Sequence, residues 1–291
     1  MTVIDSDCHV IESEHTWDFM DESEGRFRPT VLTSAAGKRF LSINGELRYD
    51  RSADGTNQGR DDAAELERAA LSGRVQTTQA SRIMQDIPGR LHDMDELGVD
   101  IQVLYPTMGL FQLATPRPDV ESALSRSYNR WLAEIWQQAE GRLRWVALLP
   151  LLNMGEALQQ LRWSVAHGAC GVYMHGFEGD RLLCDPYFFP LYEEAQGLGV
   201  PICVHAGAGN RLYGTLVGSE AFSSAKLPVI SSFHSILYHE IPDKFPTLRF
   251  GFIETAAGWV PHVMLDLERR LAREGRHLKE HPLRDNRMFV A

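Results

Sequence analysis

The sequence predicts an α/β fold of the (β/α)8 TIM-barrel type, incomplete at about seven strands, with a hairpin and loop insertion after the first strand. Three observations carry that expectation. Short β-type runs alternate with helical patterns along the chain, as in parallel βα units. The runs are nearly continuous in apolar residues, the pattern of strands covered on both faces. Chemistry-bearing side chains follow their carboxyl ends, where a barrel keeps its site. An open doubly wound sheet would bind its ligand at a similar place, but no glycine-rich phosphate loop follows the first strand.

Each element has its own signal. The first strand is read at 2–7 (TVIDSD). The second, IQVLYPT at 101–107, follows a helix whose Ile87, Leu91, Met94 and Leu97 keep helical spacing, with Pro88 in its first turn. A long helical stretch, VESALSRSYNRWLAEIWQQAEG, precedes the third strand at 144–152. MGEALQQLRWSVAHGA then reads as helix and CGVYMH at 170–175 as strand. DPYFFPLYEEAQGLG is a helix ended by Gly199, its aromatic residues read as core, and VPICVHA at 200–206 is the fifth strand. LRFGFIET at 248–255 is the sixth, a helix runs from Trp259 to Arg273, and RMFVA at 287–291 begins a seventh.

Residues 25–81 interrupt the alternation. KRFLSINGELRY places Asn44-Gly45 between two alternating runs, a hairpin signal. RSADGTNQGRDDAAE after it is polar and rich in turn residues. The whole chain, 1–291, is expected to be one barrel domain, with 25–81 inserted over the barrel mouth as a lid. The same composition also fits a solvent-exposed embellishment.

A net charge of −10 argues against a polyanion-binding surface, so no nucleic-acid partner is expected. No apolar run approaches the ~18 residues of a membrane span, and the N-terminus lacks the pattern of a signal peptide. Cys8, Cys170, Cys184 and Cys203 form no CxxC pair, and three of them, in or beside apolar segments, read as reduced core residues. A cytoplasmic protein is the simplest expectation.

The opening stretch MTVIDSDCHVIE raises the functional question. Asp5, Asp7, His9 and Glu12 crowd the end of a strand, which fits either a metal site or a solvated strand exit. His205 ends another buried strand beside the glycine-rich turn AGAGN. Imidazole and carboxylate are the ligands expected for Zn²⁺, Mn²⁺ or a similar ion. His175 could orient a substrate carboxylate or be a strand-end histidine bonded to backbone. His234 is read on a helix before the sixth strand, where it could face the cavity, and His239 as a surface residue. Glu12, Trp17, Tyr105 and Trp259 are candidates for pocket lining, and Arg51 and Arg60 for contact with an anionic substrate; packing or solvated surface is the simpler reading of each.

DSDCHVIE, PICVHAG and FPTLRFGFIETAAGWVP, in that order, resemble the amidohydrolase-related family of aminocarboxymuconate-semialdehyde decarboxylases over nearly the whole chain. The resemblance implies a metal-dependent barrel with one divalent ion, Zn²⁺ or Mn²⁺, bound by Asp7, His9 and His205. Where many relatives carry His-Gly-Gly on strand six this chain has ETAAG, so Glu254 takes the place of a catalytic histidine. Glu254, His175 and His234 are the catalytic candidates. The family's last metal-associated aspartate follows strand eight and has no counterpart before Ala291, so the chain is expected to be a fragment truncated before the last barrel strand. The implied activity is a carboxy-lyase acting on a small carboxylate-bearing, conjugated or aromatic compound, with the full-length protein a homodimer. A metal-dependent hydrolase of a C–N, C–O or C–C bond is the first alternative, and an inactive fragment or non-catalytic ligand-binding barrel the second.

Overall fold

The structure, a computed structural model, describes residues 2–35, 39–49, 77–110, 113–217, 222–278 and 288–290. The chain divides into two compact units, Met1–Met108 with Ala123–Trp145 and Gly109–Ser122 with Val146–Ala291.

In the first unit β1 (Ile4–His9) begins two residues later than the sequence suggested and continues through His9. Pairing explains the difference, because the parallel ladder to the second barrel strand extends to His9. The insertion contributes a three-stranded antiparallel sheet of β2 (Thr30–Thr33), β3 (Arg39–Ile43) and β4 (Glu46–Tyr49). Asn44 and Gly45 connect β3 to β4 with φ of 51° and 79°. Two left-handed residues in succession are what a two-residue hairpin requires, and Asn-Gly supplies them at least strain. β2 went unread because its four residues are all exposed and show no alternation. Arg51, Arg60 and all of the polar stretch RSADGTNQGRDDAAE after the hairpin lie outside the described residues.

After α1 (Gln79–Arg82), α2 (Ile87–Leu97) is bounded as its sequence implies. Asp86 accepts a hydrogen bond from the Gly89 amide at 2.9 Å, Pro88 occupies the first turn, and Gly98 closes the helix at φ 67°. β5 (Ile101–Tyr105) pairs parallel with β1. α3 (Pro118–Gln138) and β6 (Leu143–Leu148) follow.

The second unit repeats the βα pattern. α4 (Met154–Ala166) leads to β7 (Ala169–His175), then to a small hairpin of β8 (Phe177–Glu178) and β9 (Arg181–Leu182). α5 (Phe189–Leu198) ends at Gly199, φ 71°, and β10 (Ile202–His205) follows. The aromatic run at 185–195 is core: Tyr192 is fully buried and meets Phe245 and Phe250 edge-on. α6 (Arg211–Val217), α7 (Leu227–Tyr238) and α8 (Ile241–Lys244) precede β11 (Phe250–Ile253). α9 (Val260–Arg273) and β12 (Met288–Val290) complete the described elements.

The parallel strands follow the order β1-β5-β6-β7-β10-β11-β12. This sequential order is that of an incomplete (β/α) barrel, with seven parallel strands among the described residues. β10 and β11 are buried at every residue and β7 at all but one, which accounts for their unbroken apolar runs. β1, at one end of the order, has no fully buried residue.

Candidate metal centre

β1 holds the first pair of candidate ligands. Its register with β5 runs Ile4↔Ile101, Asp5↔Gln102, then Cys8↔Leu104 and His9↔Tyr105. The extra residue between Asp5 and Cys8 is a β-bulge, a feature that re-aims side chains. Asp5 and Cys8 are thereby brought to one face, while Asp7 and His9 alternate onto the other. Nothing in the local residue pattern marks this separation.

His9 Nδ1 lies 3.0 Å from the Pro106 carbonyl oxygen. A carbonyl only accepts, so Nδ1 carries the proton and Nε2 is the nitrogen with the lone pair. That Nε2 stands 3.7 Å from Asp7 Oδ1. Two donors each about 2.1 Å from one tetrahedral ion stand about 3.4 Å apart, so the separation suits co-ligands better than a hydrogen bond.

The second unit repeats the arrangement at the end of β10. His205 is fully buried, and its Nδ1 lies 3.2 Å from the Ala206 carbonyl oxygen, which again leaves Nε2 as the acceptor. Glu254 Oε2 is 3.7 Å from it. Tying the other ring nitrogen to a carbonyl is how metal-binding histidines are oriented. Glu254 immediately follows β11, has φ 60°, and its side chain is 55% exposed.

The other candidates have different surroundings. His175, at the end of β7, engages both ring nitrogens: Nδ1 with Glu178 Oε1 at 3.0 Å and Nε2 with the Gly109 carbonyl at 3.1 Å. Both of its ring nitrogens therefore face protein oxygens, where His9 and His205 each direct Nδ1 at a backbone carbonyl. His234, on α7, stacks on Tyr238 and lies 3.7 Å from Asp266 of α9, with burial pulling its pKa down. Its described neighbours are helical. His239 is exposed at the end of α7. Glu12 is buried and accepts from the amides of Thr107 and Met108 at 3.1 and 2.9 Å, fixing the loop after β5. Trp17 and Tyr105 are buried, and Trp259 donates to the Thr255 carbonyl.

Sequence reasoning missed Glu121, Glu178 and Arg90. Glu121 is pushed up to about 8, chiefly by burial, with the Glu178 carboxylate adding to the effect. In the sequence it passes for an ordinary acid in a helix first turn. Arg90 left a usable sign: it stands in the helical register of Ile87 and Met94, on the stripe that α2 buries.

Parallel strands with imidazole and carboxylate groups at their carboxyl ends are the arrangement of a (β/α)-barrel protein. The family profile described as Amidohydrolase matches residues 4–284, and the chain belongs to that family. A curated relative, the 2-amino-3-carboxymuconate-6-semialdehyde decarboxylase of Dictyostelium discoideum, is 26% identical over 118 residues. The match spans 40% of this chain and 32% of that relative's length. Among solved structures, an amidohydrolase from Mycobacterium avium subsp. paratuberculosis has a TM-score of 0.76 at 18% identity, covering 100% of this chain and 83% of the other. The 5-carboxyvanillate decarboxylase of Sphingomonas paucimobilis has a TM-score of 0.65 at 16% identity, covering 99% and 80%. A dihydroxybenzoic acid decarboxylase from a Polaromonas species, with bound manganese and the inhibitor 2-nitroresorcinol, has a TM-score of 0.60 at 16% identity, covering 100% and 78%. These structural likenesses establish the fold. Among the described residues no helix is long and apolar enough to cross a membrane.

Proposed function

We propose that this protein is a metal-dependent carboxy-lyase acting on a small, carboxylate-bearing, conjugated or aromatic compound, with Asp7, His9 and His205 holding one divalent ion, Zn²⁺ or Mn²⁺. The observation that carries the reading is the repeated ligand geometry, in which the Nδ1 of each histidine is tied to a carbonyl and its Nε2 stands 3.7 Å from a carboxylate oxygen. The donor set fits a divalent ion of the zinc or manganese kind. That the Dictyostelium relative and two of the structural neighbours are decarboxylases supports decarboxylation.

The ion would act as a Lewis acid, fixing and polarising substrate oxygens. The remaining work falls to the chain. Asp7 contributes negative charge that offsets the ion, and the two histidines keep one tautomer because their Nδ1 protons are committed to backbone. Glu254 is the proposed proton donor. A substrate seated over its exposed carboxyl would exclude bulk water from the proton transfer. As the bond to CO₂ breaks, its electron pair stays on the substrate carbon, and the Glu254 proton closes the valence there. Water then returns a proton to the carboxylate. His175, with both nitrogens engaged, serves to hold the loop after β5 to the end of β7.

The test is metal titration of the metal-free protein by calorimetry, with CO₂ release measured over a panel of small aromatic and conjugated acids. His205→Ala should abolish both metal binding and turnover, while His239→Ala leaves both near wild type. Equal loss from the two substitutions, or unchanged binding in the first, would overturn the assignment. Metal-dependent hydrolysis without CO₂ release would assign the same site to the hydrolase alternative.

A further inference from the structure

We propose that Arg90 is the positioning residue for Asp7 and His9, holding the β1 bulge in the one register that presents both side chains as ligands. The inference deepens the metal reading above and rests on it for the word ligand, but its structural part stands on separate contacts.

Arg90 is 4% exposed, and a buried guanidinium is costly unless its donors are satisfied. Its Nε donates to Gln102 Oε1 at 2.8 Å. Its Nη2 donates to Cys8 Sγ at 2.8 Å and to the His9 carbonyl at 3.3 Å. Gln102 is the register partner of Asp5, before the bulge, whereas Cys8 and His9 pair with Leu104 and Tyr105 after it. One rigid planar group therefore spans the irregularity, bonded on both sides of it. The Asp5 carboxyl also reaches the Cys8 thiol on that face.

The consequence follows from strand geometry. A slip of one residue exchanges the two faces of a strand. Without the bulge, Asp5, Asp7 and His9 would share one face and Cys8 would point away from Asp5. With it, Cys8 turns toward Arg90 and Asp5 reaches Cys8 on the same face, while Asp7 and His9 turn away together. Arg90 comes from α2, whose ends are fixed by the Asp86 cap and by Gly98, so its reach is set by the helix. A lysine could meet one of these acceptors but not both sides of the bulge, because it lacks the planar fork.

The experiment compares wild type, Arg90→Met, Arg90→Lys and Met94→Ala. Mn²⁺ affinity is measured by calorimetry, the Co²⁺-loaded proteins by visible spectra, and the metal-free proteins by histidine ring ¹⁵N–¹H spectra. Arg90→Met should weaken Mn²⁺ binding about 10- to 100-fold, the range for loss of a group that orients ligands. It should also alter the Co²⁺ spectrum and move the His9 ring signals while leaving those of His205 in place. Arg90→Lys should recover part of the affinity. Met94→Ala loosens the same helix but keeps the guanidinium, so it should lower thermal stability with affinity and spectra unchanged.

Arg90→Met that binds Mn²⁺ within about twofold of wild type, with unchanged Co²⁺ and His9 spectra, overturns the proposal. If wild type binds no metal, the metal reading has failed, and the His9 signals of the metal-free proteins decide the role of Arg90 alone. Should Arg90→Met not fold, Arg90→Lys decides: wild-type affinity and spectra in that variant overturn the proposal.

Discussion

Replacing Glu121 with glutamine should remove a large part of the protein's pH dependence of stability. The carboxyl accepts a hydrogen bond from the Leu152 amide at 2.8 Å, and burial raises its pKa from 4.5 to about 8 despite that bond. Below about pH 4.5 the group is protonated both folded and unfolded, so it imposes no penalty. Between there and about pH 8 the unfolded chain has lost the proton and the folded chain retains it. Stability therefore falls as pH rises, and the loss is complete once the folded form also ionises. At 1.36 kcal/mol per pH unit the ceiling is roughly 5 kcal/mol, and relaxation around the charge brings the expected value to about 2–3 kcal/mol. Glutamine keeps an acceptor for the Leu152 amide and never ionises. The assay is urea unfolding of both proteins at intervals from pH 5 to pH 9, with the slope of the denaturant dependence required to match. The variant should gain steadily on wild type as pH rises. A difference between them that stays constant over this range would refute the reasoning.

Two further predictions concern backbone. A β-carbon on Gly176 would lie 2.2 Å from the Pro228 carbonyl carbon and 2.5 Å from the Val229 amide nitrogen, so Gly176→Ala must displace main chain at the start of α7. It should cost at least about 3 kcal/mol, read as a fall in Tm or in soluble yield, and a change in Tm under about 1 °C would show that the contact is slack. Glu254→Gly removes both a carboxylate and a non-glycine residue held at φ 60°. Relief of about 1 kcal/mol of left-handed strain should hold the Tm of the metal-free protein level or raise it, while turnover is lost. Retained turnover, or a clear drop in Tm, would count against the role given to this position.

Much of the fold was legible because strands and helices announce their surroundings locally. VPICVHA and LRFGFIET read as strands because β10 and β11 are covered on both faces, so nearly every residue must be apolar. Asp86, Pro88 and Gly98 bound α2 through bonds to residues a few positions away, and Asn44-Gly45 set its own turn. The residue types and order in the DSDCHVIE and PICVHAG segments marked candidate ligands before any geometry was known.

Tertiary structure decided what those residues present. The bulge in β1 exists only as a mismatch with β5, so no inspection of DSDCHVIE alone separates Asp5 from Asp7 and His9. The nitrogen that His9 and His205 present depends on a carbonyl, Pro106 for the first and Ala206 for the second, whereas both nitrogens of His175 are engaged, by Glu178 and Gly109. Glu121 became a group with a pKa of about 8 because folding buried it. Apolar periodicity is imposed by the layer that covers a segment and is written along that segment. Register, tautomer and ionisation are set by partners far away in sequence, and only folding brings those partners into reach.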